Sequence, residues 1–342
     1  MTPLVSVMVV VLGAAEHLEE TLLSLLEQTI QDFEIVIVDG GLFEPARQML
    51  ARYSSGDARI KVFPQQEPGI AAARTQAMAL SSGKYCAVND ADDISLPHRF
   101  ERQIDFLESH PEISLCGAWI QTFGAGPSQV RQTPPSDAMI RSQMMFLCPF
   151  AHSTVMWRRE DVIRTGQEYL FQSSEDYYLW ARLLPHIHFA NLPEVLVRYR
   201  IHKDQRSIID ESDLGWKNQV CIRLSVINLL GIMATADETS LHQKISTGRE
   251  NEISLSDAEA WLKKLQAANR AANTFPQHAF DRIIADRWWV VSLGAKSKPI
   301  RALRFIRSSV NSNIYLGVSG KMVILARFIK QRLANGIKRI LR

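Results

Sequence analysis

The sequence predicts an α/β fold: a mostly parallel sheet flanked by helices over residues 1–210, followed by a helical region over 211–342. In the first hundred residues, short apolar β-branched runs alternate with segments of helical period, the pattern of strands joined by crossover helices. Two of those runs end in aspartates, which places acids at the carboxyl ends of strands, where open α/β sheets bind ligands. Beyond Asp210 the strand-like runs stop and the spacing is helical.

Val5 to Val11 reads as a strand buried on both faces, and Leu18, Leu22, Leu25 and Leu26 then recur at helical spacing up to Thr29. Phe33 to Val38 is a second such strand, with the Asp39-Gly40-Gly41 turn placing Asp39 at its carboxyl end. A helix over Pro45 to Tyr53, a short strand over Ile60 to Phe63 and an Ala-rich helix over Ile70 to Leu80 lead to the buried strand Tyr85 to Val88. Pro97 opens a helix with Phe100, Ile104 and Leu107 on one face, Ile113 to Ile120 is strand-like, and residues 124–136 read as loop. Pro149 to Trp157 reads as a strand entered from a turn, Ser174 as the N-cap of a helix, and Val195 to Ile201 as a last strand closing at His202. Trp216 to Leu230, Leu255 to Ala268 and Phe280 to Leu293 are helical.

The chemistry concentrates at Asp90-Ala91-Asp92-Asp93, where a strand emerges. On an extended backbone Asp90 and Asp92 point the same way, and two adjacent carboxylates are relieved by protonation or by a hard cation, Mg²⁺ or Mn²⁺, with positions left for phosphate oxygens. A bare D-x-D is more often a polar turn and helix cap, and Glu175-Asp176 more often acids favoured in a first helical turn.

Composition bounds the function further. With 46% hydrophobic and 22% charged residues in 342, the chain is an ordinary globular one, and no apolar run approaches the about 18 residues of a membrane span. No Lys or Arg precedes Arg47, so the N-terminal apolar run lacks the basic leader of a signal peptide and a cytoplasmic location is expected. Cys86, Cys116, Cys148 and Cys221 show no C-x-x-C spacing and are expected as free core thiols. From Lys296 onward there are twelve basic residues and no acid; removing them from the net charge of +3 leaves −9 for the body. From Lys321 the tail has the spacing of a basic amphipathic helix, which predicts peripheral contact with the cytoplasmic face of the inner membrane, while the absence of any DNA or RNA motif argues against nucleic acid.

Taken together, these residues resemble the inverting, metal-dependent family-2 glycosyltransferases of GT-A fold that build bacterial surface polysaccharides. The resemblance spans roughly residues 4–205 and rests on an ordered set: Val5-Ser6-Val7, Glu27-Gln28-Thr29, Asp32 through Asp39, Gly69 with Ala73-Arg74, Gly83-Lys84-Tyr85 leading to Asp90-Ala91-Asp92-Asp93, His152 through Met156, and Ser174-Glu175-Asp176-Tyr177. It implies that Asp39 reads the base of a nucleotide diphosphate sugar, Arg74 lies near the nucleotide, Asp90 approaches the ribose, and Asp92 holds the cation, with His202 as a further metal or diphosphate contact. Asp176 would be the catalytic base, supported by Glu175, and the acceptor a glycan or lipid-linked acceptor receiving a hexosyl or N-acetylhexosaminyl group. The sequence departs from the family on the nucleotide side alone: Val10-Val11-Leu12-Gly13 lacks the usual aromatic, Asp39-Gly40-Gly41-Leu42 lacks a second carboxylate, Gln66-Glu67-Pro68-Gly69 lacks an Asn, and Thr75 follows Arg74. The alternative is a binding protein that kept the fold and lost turnover.

Overall fold

A computed structural model describes residues 2–13, 15–203, 213–248 and 253–293. The basic tail therefore lies outside the described residues. The chain divides into two compact units, 1–140 with 148–222, and 141–147 with 223–342.

The first unit opens with β1 (Val5–Val11), α1 (Leu18–Leu26), β2 (Phe33–Asp39), α2 (Glu44–Gly56), β3 (Ile60–Pro64), α3 (Ile70–Leu80) and β4 (Tyr85–Val88). It continues through β5 (Ile94–Ser95), α4 (Arg99–Ser109), β6 (Leu115–Gly124), β7 (Val130–Arg131) and α5 (Asp137–Gln143), whose end belongs to the second unit. A 3₁₀ turn at His152–Thr154, β8 (Met156–Arg158), α6 (Arg159–Arg164), α7 (Glu175–Leu183) and β9 (Phe189–Ile201) follow.

Among the described residues the strands form one sheet in the order β3-β2-β1-β4-β8-β6-β9-β5, with β7 against β6. The β3-β2-β1-β4 half is parallel; β8 then runs antiparallel to both β4 and β6, and β6 and β9 are parallel. Because β1, β2 and β4 run the same way, Asp39 and the acids after β4 share one edge of the sheet. Alternation along β1 sends Val5, Val7, Val9 and Val11 into one core with Leu18, Leu22 and Leu25 of α1 and Phe100, Ile104 and Leu107 of α4. The opposite face lies under α3, whose Ala71, Ala73 and Ala77 are small enough to bring that helix close.

One glycine fixes how closely the α3–β4 connection approaches β1. The Gly83 and Ser82 amides both donate to Ser6 Oγ, at 2.7 and 3.0 Å, and a Cβ on Gly83 would fall 2.6 Å from the Ser6 nitrogen. Backbone cannot give way as a flexible side chain can. Gly83→Ala is therefore expected to cost about 1–3 kcal/mol, read as a lowered urea midpoint.

Several elements differ from those the pattern predicts. The helix expected at Pro97 starts at Arg99, after the two-residue β5, and the loop over 124–136 holds the two-residue β7. Pro149 to Trp157 is a 3₁₀ turn followed by a short strand, and α5 and α6 are additional. β9 starts six residues before Val195: Pro193 lacks the N–H a ladder needs, and there the pairing with β6 shifts register, Leu192 facing Ala118 and Val195 facing Trp119. Cys86 and Cys116 are buried free thiols, but Cys148 is half-buried and Cys221 exposed, since both lie off the sheet.

α8 (Asp213–Asn228) begins in the first unit and ends in the second, which adds α9 (Ala236–Thr247), α10 (Leu255–Ala272) and α11 (Gln277–Leu293). α9, which the pattern did not predict, starts at a reciprocal cap in which Thr235 and Glu238 satisfy each other's backbone amides. His242, inside this unit, accepts from the Trp261 indole at Nδ1 and meets the Met145 carbonyl at 2.9 Å through Nε2. That arrangement suits a neutral ring, and burial pushes its pKa down to about 3.

Candidate active site

The site is built on the edge where β1, β2 and β4 end. At the β2 end, Asp39 Oδ1 accepts from the Gly41 and Leu42 amides at 2.9 and 2.8 Å, a turn that φ +108° at Gly41 makes possible. Oδ2 stands 3.8 Å from Arg47 Nε and is the oxygen left for a ligand. Leu12 packs over Gly40, where a Cβ would fall 2.2 Å from its Cδ2, so an aliphatic group stands at the rim.

After β4 the acids do not lie on an extended strand, as the spacing alone suggests. The Asp93 amide donates to the Asp90 carbonyl at 3.3 Å, closing a turn that separates Asp90 from Asp92. Asp90 Oδ1 accepts from Arg74 at 3.0 Å and faces His152 Nδ1 at 3.0 Å; Oδ2 faces the Ser153 hydroxyl at 2.9 Å. A carboxylate has about four lone-pair directions, so one remains for a further donor. Burial alone would raise the Asp90 pKa, but His152 and Arg74 outweigh it and hold the carboxyl well below its usual range. Asp93 is fully buried, meeting Ser153 through one oxygen and the Arg200 amide, at 2.8 Å, through the other. Burial and the neighbouring Asp90 and Asp92 push it up.

Asp92 turns to the other side. Its Oδ2 stands 2.9 Å from His202 Nε2, just past the end of β9, and both side chains are about one-quarter exposed, at 28% and 25%. Arg200 fastens the two segments, its Nε donating to the Asp92 carbonyl at 2.9 Å and Nη2 to Glu20 at 2.8 Å. Burial and Asp90 raise the Asp92 pKa, which a cation would reverse. Among the described residues no group of three or more His, Cys, Asp or Glu side chains converges on one point. The pair still fits a divalent ion, since two donors each about 2.1 Å from an ion at right angles stand about 3 Å apart, and the remaining positions of such a shell would be open to ligand oxygens and water.

At the opposite end, α7 carries Glu175 and Asp176 in its first turn. Ser174 occupies the N-cap, yet its side chain does not cap: its backbone is left-handed at φ +57°, which carries the hydroxyl away from the helix amides. Instead Asp176 Oδ1 accepts from the Tyr177 amide at 2.7 Å. Buried Glu175 pairs with Arg74 Nη1, so a single guanidinium ties the rim acid Asp90 to α7. Burial would lower the Arg74 pKa, but Glu175 and Asp90 raise it further than burial lowers it. Asp176 is half-buried with Oδ2 3.9 Å from Cys148 Sγ, and burial first, then Glu175, raise its pKa against the pull of His152 and Arg74.

The structure thus brings together Arg74, Asp90, Glu175 and Asp176, pairs Asp92 with His202, and leaves Asp39 on the same rim beside Arg47. Sequence reasoning passed over Arg99, which is fully buried and donates to the Asn89 side chain (3.0 Å), the Ser95 hydroxyl (2.9 Å) and the Val88 carbonyl (2.8 Å), holding the acidic turn in place. Burial lowers its pKa to about 9, so it keeps its charge at neutral pH. The available signal was Arg99 and Gln103 one helical turn apart on the face that ends in Leu107. Ser153, which bridges Asp90 and Asp93, lay within the His152–Met156 segment of the resemblance but was assigned no role of its own.

The sequence matches the profile of Glycosyl transferase family 2 over residues 6–166. It is 36% identical over 194 residues to the amylovoran biosynthesis glycosyltransferase AmsE of Erwinia amylovora, covering 55% of this chain and 72% of that protein. With the O-antigen biosynthesis glycosyltransferase WbnJ of Escherichia coli it shares 30% over 205 residues, 58% of this chain and 80% of that one. Among solved structures, S. aureus TarS 1–349 in complex with UDP-GlcNAc aligns with a TM-score of 0.55 at 14% identity, over 90% of this chain and 89% of that one, a likeness of fold. Relatives matched over more than two thirds of their own length, on a GT-A fold shared with TarS, place the chain: it belongs to glycosyl transferase family 2 and is a glycosyltransferase.

Proposed function

We propose that the chain is a divalent-cation-dependent, inverting enzyme that moves a sugar from a nucleotide diphosphate sugar to a glycan or lipid-linked acceptor in the assembly of a surface polysaccharide. The surface glycan is carried over from relatives named for amylovoran and O-antigen biosynthesis. The observation that carries the chemistry is the division of the acids into two groups with Arg74 between them, Asp92 with His202 toward one end and Asp176 toward the other.

Glycosyl transfer passes through an oxocarbenium-like state, so a leaving diphosphate must be neutralised on one face while the nucleophile loses its proton on the other. Asp92 and His202 would hold a Mg²⁺ or Mn²⁺ ion, which when bound neutralises charge developing on the departing diphosphate. Asp39 offers its free oxygen to the base, and Asp90 its remaining lone pair to the ribose. Asp176 takes the proton of the acceptor hydroxyl as that oxygen bonds to the anomeric carbon and the bond to the nucleoside diphosphate breaks. Glu175, held by Arg74, keeps α7 in register with the rim.

A screen of nucleotide sugars with Mg²⁺ or Mn²⁺, read as release of nucleoside diphosphate, tests the activity. Because one displacement inverts the centre, an α-linked donor is expected to yield a β-linked product, read from the anomeric NMR coupling constant. Retained configuration would rule out the direct attack assigned to Asp176, and donor binding without turnover would favour a binding protein.

A further inference from the structure

The first turn of α7, which carries Glu175 and Asp176, starts from a backbone conformation that its own sequence does not favour. Ser174 sits at φ +57° and ψ +30°, the left-handed region that is costly for a residue with a Cβ, and its side chain forms no cap in return. Beside it, Ser173 is buried and its hydroxyl finds no hydrogen-bond partner among the described residues. Left to local preference, a serine here would take the extended backbone of an ordinary N-cap. The helix would then leave the connection in another direction, and Asp176, two residues on, would move with it.

The turn persists because the chain around it is held. Upstream, the Tyr169 carbonyl accepts from the Thr75 hydroxyl of α3 at 3.0 Å, and the Phe171 ring packs on Tyr178 of α7 with centroids 4.1 Å apart. Downstream, the Ser174 carbonyl accepts from the Tyr178 amide at 3.0 Å. The hold on the turn itself comes from the part of α8 that belongs to the first unit: Asn218 Nδ2 donates to the Ser173 carbonyl at 2.9 Å, and Gln219 Nε2 reaches the Ser174 hydroxyl at 3.4 Å. Ile222, one turn further along that face of α8, is fully buried and anchors it. The Ser173 carbonyl lies in the planar peptide that precedes Ser174, so a bond to it fixes the plane whose rotation is φ of Ser174.

We infer that Asn218 is a positioning residue of the transfer reaction: by holding the Ser173 carbonyl it keeps Ser174 left-handed and so aims the first turn of α7, with Asp176, at the acceptor hydroxyl. Gln219 adds the longer contact. Asn218 acts through the backbone and takes no part in the proton transfer. The inference rests on the assignment of Asp176 as the base. Misplacing a reacting group by about 1 Å can cost on the order of 10² in rate, so a hold on the backbone two residues away is enough to matter.

Two full-length variants test it, with the best donor from the screen. Asn218→Asp keeps the volume but sets an oxygen against the Ser173 carbonyl, and Asn218→Ala removes the side chain with a residue that helices favour. Both are expected to lower kcat about tenfold, while donor affinity by calorimetry stays within about twofold of wild type. Wild-type kcat in Asn218→Asp would mean that the side chain only fills space, and would overturn the inference. A second arm adds Ser174→Gly. Glycine takes the left-handed conformation without that cost, so in the Ser174→Gly background Asn218→Ala should lower kcat by less than about threefold. An equal fall in both backgrounds, or donor affinity falling in step with kcat, would overturn the inference. Urea midpoints of the same four proteins repeat the comparison without turnover: Asn218→Ala should lower the midpoint more in the wild-type background than in the Ser174→Gly background, and strict additivity counts against the hold. If Asp176→Asn keeps full transfer, the base assignment falls and the positioning role with it, while the midpoints still decide whether Asn218 holds Ser174.

Discussion

Asp176→Asn is expected to lower transfer by on the order of 10² to 10⁴ while donor affinity stays close to wild type. The amide keeps the shape, and its oxygen can still accept from the Tyr177 amide at 2.7 Å, so the start of α7 is preserved. What disappears is a proton acceptor. The pairs that bind α7 to the rim, Arg74 with Glu175 and with Asp90, do not involve Asp176 and should survive. Because burial and Glu175 raise the Asp176 pKa, its ionised fraction falls as pH drops, and wild-type kcat/KM should decline on the acid side; the variant's residual rate should lack that decline. Donor affinity lost together with turnover, measured by calorimetry, would make Asp176 a structural residue.

Asp92→Asn should abolish detectable transfer at ordinary metal concentrations, because an uncharged amide is a weak ligand for a hard cation. The fold should survive: Arg200 is fastened to the Asp92 carbonyl, not its carboxylate, and the side chain is 28% exposed. An Asn can also keep the contact that Asp92 makes with His202 at 2.9 Å, so the loss would be in cation affinity, seen by titrating Mn²⁺ and following its electron paramagnetic resonance signal. Full activity in this variant would remove Asp92 from the cation site.

The parallel half of the sheet was legible because strands buried on both faces are unbroken apolar runs; α3 and β1 fall on the residues their patterns predict. β5 and β7 were not, since two residues carry no period, and neither was the start of β9, where Pro193 disguises a strand whose pairing skips over it. The acids could be found by pattern and family resemblance, but not their geometry. Nothing in Asp90-Ala91-Asp92-Asp93 says that the chain turns there, or that Arg99, Ser153 and Arg200, from three distant segments, hold the turn. Ser174 misled for a local reason: serine is a common helix cap, and its left-handed backbone, one of two non-glycine positive-φ residues among those described, is set by the surrounding chain.

The grip of Arg74 on both Asp90 and Glu175 bears on how enzymes of this kind can be recombined. The family profile ends at residue 166, so Arg74 and Asp90 lie inside the profile and Glu175 beyond its end. A chimera spliced near that end, joining the donor half of one enzyme to the acceptor half of another, would cut across this ion pair. If only one parent has the pair, the hybrid inherits either a buried guanidinium short of a partner or a buried carboxylate with none, at a cost of about 3–5 kcal/mol. Position 74 and position 175 therefore have to be exchanged as one unit, although 101 residues separate them in the chain.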